Sequence, residues 1–210
     1  MFLKHTPHSG NKKGESLVEV IMAIFVVALG SGVATSLIVS ALQANLFSRD
    51  NLVALNLAVE GIEAVREIRD ANWLRFSYNK DQCWNMRPDA TACGPVNIIA
   101  EGKYAVLLDA ASYAWNISPK PITAGKLDLE NSPDSVNSLY QLYYSDTTPS
   151  MYITSITSNA SPFYRMVTIS YPSPEIMSVS VLVQWKSQGV THQVTLQTEL
   201  TNYQKVKRTT

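Results

Sequence analysis

At 210 residues and 23.2 kDa the chain is long enough for one ordinary domain with an extra element, and too short for a multidomain enzyme. Hydrophobic residues make up 46% and charged residues only 16%, well below the roughly 25% usual in a soluble globular chain, so part of the sequence is expected to avoid water. Seventeen Lys and Arg against seventeen Asp and Glu leave no basic surplus that would indicate nucleic-acid binding, and no acidic excess that would indicate a solvated, disordered chain.

The balance hides an asymmetry at the N-terminus. Lys4, Lys12 and Lys13 precede residue 15 and no acid accompanies them. From Val20 to Asn45 there follow 26 positions without a charge, against the about 20 residues a helix needs to cross a hydrocarbon layer. A buried core helix is the other reading of such a run, but a chain this short has little protein with which to surround one. A cleavable secretory signal is a second alternative, and its apolar region would be shorter and would end at a small-residue site. A membrane span over about 20–45 is therefore expected. The lysines place the N-terminus in the cytoplasm and residues from about Arg49 onward outside.

The helical pattern continues past the span. No proline occurs between Glu15 and Trp73, and Ala, Leu, Glu and Arg dominate 47–73 with Gly61 as the interruption. Leu52, Leu55, Val59 and Ile62 recur at steps of three and four, with Leu57, Val65 and Ile68 widening the stripe. The spacing predicts one long helix over 15–73 whose outer half is amphipathic enough to carry a domain.

The junction between the basic leader and the span reads KKGESLVEVIMAIF. It resembles the N-terminus of type IV prepilins and of the pseudopilins of type II secretion. In that family a membrane-embedded peptidase cuts after a glycine, the new N-terminus is methylated, and the fifth residue of the mature chain is a glutamate within an apolar segment. The resemblance implies cleavage between Gly14 and Glu15, methylation of Glu15, and an assembly role for Glu19. It implies as partners a prepilin peptidase, other pilin or pseudopilin subunits, inner-membrane assembly machinery and the lipid bilayer. NLAVEGIEAVREIRDANW further resembles, more loosely, the distal helix of minor pilins and minor pseudopilins. Two departures stand out: Glu15 replaces the phenylalanine common at the first mature position, and Ser36 stands where many major pilins carry proline.

The residues of the span allow an independent reading. A carboxylate in a transmembrane helix costs about 2.5–3.5 kcal/mol if central and less near the interface, so Glu19 is expected to have a partner. Once the leader is gone, an α-amino group is the nearest cation. The alternative is an interfacial glutamate that merely suits the positive end of the helix dipole. Ala28, Gly32, Ser36, Ser40 and Ala44 recur every four residues, a small-residue stripe of the kind that lets helix backbones approach in lipid, although small residues are also frequent in apolar helices generally. Gly30 and Gly32, flanking Ser31, mark the expected place of local helix melting.

After Trp73 the composition changes. Nine of the ten prolines and all ten tyrosines lie beyond it. Strand-like runs occur at 104–108, 113–117, 140–144, 151–156, 163–171, 177–185 and 191–200. Val179, Val181, Val183 and Trp185 share one face, as do Val194, Leu196, Thr198 and Leu200, and KSQGV supplies a turn at Gly189. With Arg165, Val167 and Ile169 alternating in the preceding run, a three-stranded antiparallel meander is expected, its apolar face covered by the outer helix.

Cys83 and Cys93 bracket a short loop in a chain read as extracytoplasmic, which predicts a disulfide. Asp128, Glu130, Asp134 and Asp146 offer hard oxygens that could hold calcium, but a solvated polar loop is the preferred reading, and no metal and no cofactor are assigned. Tyr140, Tyr143, Tyr144 and Tyr152 form either part of a core or an adhesive surface. GxGxxG, HExxH, GxSxG and phosphate-loop motifs are absent from the sequence, so no enzyme is expected. The expected fold is α+β: a leader at 1–14, a long helix at 15–73 and a β-rich head at 74–210. Two functions remain: a minor pilin or pseudopilin, or a single-pass anchored binding or sensor protein that keeps its leader.

Overall fold

The uninterrupted helical pattern forms one helix, α1 (Leu17–Arg75), of 59 residues. The computed structural model describes residues 17–109, 114–145, 151–153 and 159–204. Gly14, Glu15, Tyr113 and Asp146 lie outside them. The chain divides at Ser48 and Arg49 into two compact units.

In the first unit every residue from Leu17 to Ser48 is helical and exposed. The expected melting at Gly30 and Gly32 does not occur. Each glycine costs the helix about 1 kcal/mol, too little to break a segment with no competing structure. The nearby hydroxyls also close on the helix itself: Ser31 Oγ donates to the Ala28 carbonyl and Thr35 Oγ1 to the Ser31 carbonyl, each at 2.9 Å.

The second unit begins with the outer segment of α1. After Arg75 come a one-turn helix, α2 (Lys80–Cys83), and the strands β1 (Gly102–Tyr104), β2 (Val106–Asp109) and β3 (Ala114–Ile117). A one-turn helix, α3 (Asp134–Asn137), precedes β4 (Gln141–Ser145), β5 (Met151–Ile153), β6 (Asn159–Ser173), β7 (Ile176–Ser187) and β8 (Val190–Thr201). The main sheet has the order β5-β4-β6-β7-β8, with every neighbouring pair antiparallel. β1 also pairs with β6, at Val167–Ile169, so β1 and β4 share the edge of β6 that β7 leaves free. β2 and β3 form a separate hairpin, and the expected single strand at 104–108 is split at Ala105 between these two sheets.

The β6-β7-β8 meander is as expected. Ser187 pairs with Val190, leaving Gln188 (φ 53°) and Gly189 (φ 80°) as a two-residue turn with both residues left-handed, the geometry that matches strand twist. Arg165, Val167 and Ile169 of β6 and Val179, Val181, Val183 and Trp185 of β7 are buried against the helix.

The helix face differs from the expected stripe. Leu57, Ile62, Val65 and Ile68 are buried, but Leu52, Leu55 and Val59 are exposed, and Ala54, Ala58, Gly61 and Ala64 lie inward instead. Small residues win this face because they bring the backbone close to the sheet. A Cβ on Gly61 would lie 3.0 Å from Val181 Cγ1 and 3.2 Å from Arg165 Cδ.

The opposite sheet face is covered too. Leu127, Leu129, Val136 and Tyr140 pack with Met166 and Leu182, so the stretch expected to be a solvated loop is a third layer. Its alternation explains this: Leu127 and Leu129 point inward while Lys126 and Glu130 stay exposed or half-exposed. The architecture is thus α+β, a long N-terminal apolar helix whose outer segment packs on a C-terminal antiparallel sheet.

Candidate functional site

Three regions have the chemistry of a working surface. The first is the helical segment Leu17–Ser48, long and apolar enough to cross a membrane, with no part of it buried. At 1.5 Å per residue it is about 48 Å long, against a hydrocarbon core of about 30 Å. Glu19 lies in the first turn and is its one ionisable side chain. Ala28, Gly32, Ser36, Ser40 and Ala44 recur every four residues along this segment, all exposed, and nothing lies within 4 Å of a Cβ built on Gly30 or Gly32. Leu29, Val33, Leu37 and Ile38 are exposed beside them. Such a surface is complementary to lipid or to other apolar helices.

The second region is the end of α1. Cys83 and Cys93 are joined in a disulfide whose loop folds back on the helix. Asn72, 1% exposed, donates from Nδ2 to the carbonyls of Trp84 (3.2 Å) and Met86 (2.6 Å). Arg75 donates to the carbonyls of Pro88 (2.6 Å) and Arg87 (3.0 Å) and to Asn72 Oδ1 (2.6 Å). The disulfide fixes the loop, and these two side chains fix the loop to the helix. Neither was legible as a contact in the sequence, where Asn72 and Arg75 look like ordinary last-turn polar residues. On the other side of the helix end, Arg69 lies over the rings of Trp73 (4.7 Å) and Tyr203 (5.2 Å), tying down the segment after β8. A groove of about 510 Å³ opens here, lined by Ile68, Leu74, Pro88 and Trp115 and flanked by Glu67 and Arg75.

The third region is the charge buried between helix and sheet. Arg165, 2% exposed, donates from Nη1 to Glu60 Oε1 (2.9 Å) and the Leu57 carbonyl (3.2 Å), and from Nη2 to the Val106 carbonyl (3.0 Å). One side chain thereby holds α1, β6 and the β2-β3 hairpin in register. The sequence placed Arg165 on the inward face of its strand but gave no sign of its partner 105 residues away.

Asp128 is satisfied within its own turn. Asp128 Oδ1 accepts from the backbone N–H groups of Glu130 and Asn131, and the Asn131 amide reaches both carboxylate oxygens. These bonds, the Asn131 side chain foremost, hold the Asp128 carboxyl below its usual range. Among the described residues no three His, Cys, Asp or Glu side chains gather closely enough to hold a metal ion. The tyrosine cluster divides: Tyr140 is buried, its hydroxyl on the Gly125 carbonyl at 2.8 Å, while Tyr144 is exposed. Burial raises Tyr171 far above the ordinary tyrosine value, and Tyr104, Tyr140 and Tyr164 in the same direction.

A long apolar helix carrying an antiparallel sheet on its outer segment is the general pilin-like architecture. In comparisons with known proteins, no family model, no curated protein and no solved structure matches the chain.

Proposed function

We propose that the protein is a minor pilin or pseudopilin, a structural subunit of a type IV pilus or of a type II secretion-like filament. In this reading prepilin peptidase removes residues 1–14, Glu15 becomes the methylated N-terminus, and inner-membrane assembly machinery draws the subunit from the bilayer into the filament. The N-terminus starts in the cytoplasm and the head lies outside. Leu17–Ser48 exchanges lipid for the helices of neighbouring subunits, and the stripe from Ala28 to Ala44 permits their close approach.

One observation carries the reading: an exposed apolar helical segment with Glu19 as its single charge continues into a helix packed on an antiparallel sheet. A soluble protein has no use for so large an apolar surface, and a simple anchor has none for the charge. Neither catalysis nor direct nucleic-acid binding belongs to this reading.

The test is the N-terminus of the membrane-extracted protein from cells with and without the peptidase. A chain beginning at Glu15 only where the peptidase is present is the expected result. Its leader carries three lysines and no acid, so the mature chain retains 14 basic against 17 acidic residues and migrates as a more acidic species. Met1 retained in both strains refutes processing and leaves a permanently anchored binding or sensor protein.

A further inference from the structure

The two edges of the main sheet are built differently. On one side β5 and β1 each have three residues, β4 is bulged between Gln141 and Tyr143, and the Lys103 carbonyl of β1 already accepts from Ile122 N–H. On the other side β8 pairs residue for residue with β7 over twelve positions, from Val190 with Ser187 to Thr201 with Ile176, without a register shift. Among the described residues no strand pairs with its outer edge. β8 has none of the usual protections of a free edge: no proline, no lysine or arginine, no bulge, and Glu199 as its one carboxylate.

We infer that β8 pairs antiparallel with β8 of a second copy, about a two-fold axis at Thr195. This register opposes Thr195 to itself, Val194 to Leu196, Thr191 to Glu199 and Gln193 to Gln197, so no like charges meet. The two glutamines are already half-committed in complementary ways. Gln193 uses its Oε1 to accept from Gln184, leaving its amide N–H groups, and Gln197 uses its Nε2 to donate to Ser178 Oγ, leaving its carbonyl oxygen. Across the axis each Gln193 donates to the other copy's Gln197, twice by symmetry. A two-fold axis perpendicular to the sheet reverses every direction lying in it, so the helical segments packed on the two heads run oppositely.

Both native cysteines are in the disulfide, so a thiol introduced into the full-length, detergent-solubilised protein is the sole free one. Mild oxidation of Thr195→Cys is expected to give a disulfide-linked dimer with about tenfold higher yield than Gln197→Cys alone, because only the former opposes itself at the 4.5–5.5 Å of a direct cross-strand pair. Gln193→Cys mixed with Gln197→Cys restores the yield. Thr195→Lys, at an exposed position, leaves the Cys83–Cys93 bond and the head melting unchanged while opposing two charges and abolishing association. Equal yields from Thr195→Cys and Gln197→Cys, or a crosslink to another protein only, overturn the pairing. Each of these results is independent of whether the leader is cleaved.

Discussion

Gly61→Ala separates the packing account of the helix from its propensity account. On propensity alone alanine stabilises a helix interior by about 1 kcal/mol over glycine. Packing opposes it: the added methyl meets Val181 Cγ1 at 3.0 Å, Arg165 Cδ at 3.2 Å and Val181 Cγ2 at 3.3 Å. Whether those neighbours can yield decides the sign. Val181 is fully buried at the centre of β7, paired with Val167 on one side and Leu196 on the other, and its β-branched side chain has few rotamers to escape into. Arg165 is held by three hydrogen bonds. Overpacking a site of this kind costs about 1–3 kcal/mol, so the net effect is a destabilisation of about 1 kcal/mol, a fall in Tm of about 2–4 °C for a head of this size. Thermal melts of the full-length protein in detergent, followed by tryptophan fluorescence, read it directly, since Trp73, Trp84 and Trp185 are all buried in the head core. Gly32→Ala, with nothing within 4 Å, is the control and leaves the head transition in place. A Gly61→Ala protein that melts at or above the wild type refutes the close-approach argument.

Arg165→Ala leaves the Val106 carbonyl without its donor and a cavity beneath α1, an expected loss of about 3–5 kcal/mol in urea unfolding; Glu60→Gln, whose side chain is one-third exposed and keeps an acceptor, costs far less. Replacing both Cys83 and Cys93 by serine opens a loop with a sequence separation of 10 and is expected to cost about 2–3 kcal/mol, again read by urea unfolding; a single replacement leaves a free thiol open to intermolecular oxidation, so the double change is the cleaner comparison. The buried tyrosines make the head alkali-sensitive: the unfolded chain releases their protons near the ordinary 10.0 while the folded head retains them, so stability is intact below about pH 10 and falls as pH rises beyond it. Urea midpoints from neutral pH upward show the decline, which becomes shallower in Tyr171→Phe.

The sequence revealed most where burial repeats with a simple period. β6, β7 and β8 alternate over nine or more residues, so Arg165, Val167, Ile169 and the valines of β7 were assigned to the inner face correctly, and Gln188–Gly189 fell where the alternation breaks. The helix was legible in extent and in part of its phase, since Leu57, Ile62, Val65 and Ile68 are buried as the stripe required. Leu52, Leu55 and Val59 have the larger apolar area, and periodicity weighted by hydrophobicity chose them, whereas proximity to the sheet chose Ala54, Ala58 and Gly61. The same bias hid the third layer, because Lys126, Asp128 and Glu130 masked the two leucines between them. Asn72 and Arg75 reach carbonyls of a loop that follows by about a dozen residues, and nothing local encodes that. The disulfide was legible because two cysteines permit only one intramolecular pairing.

Glu19 offers the most direct test of why the apolar segment exists. Between Leu17 and Ser48 the hydroxyls of Ser31 and Thr35 satisfy themselves on the helix, but a carboxylate cannot. It stands in the first turn, where the helix dipole favours it by about 0.3–1 kcal/mol, a benefit any isolated helix provides. A carboxylate among lipid or packed helices costs about 2.5–3.5 kcal/mol at the centre of a span and less toward its end, where Glu19 stands. In the filament proposed above, an adjacent subunit's α-amino group is the cation that would offset what the dipole leaves, through a bond that strengthens as water is excluded. Glu19→Ala raises the apolarity of the segment, so insertion is retained, and it lies outside the unit that contains the head, so the Cys83–Cys93 bond still forms. Loss of one charge-assisted bond worth about 1.5–3 kcal/mol lowers entry into filaments by between about tenfold and a hundredfold. Glu19→Gln, keeping an acceptor without the charge, falls between. The measurement is the ratio of subunit in purified filaments to subunit in the membrane fraction, in cells supplying the other assembly components. An unchanged ratio for Glu19→Ala returns the residue to a helix-terminal charge at the bilayer surface.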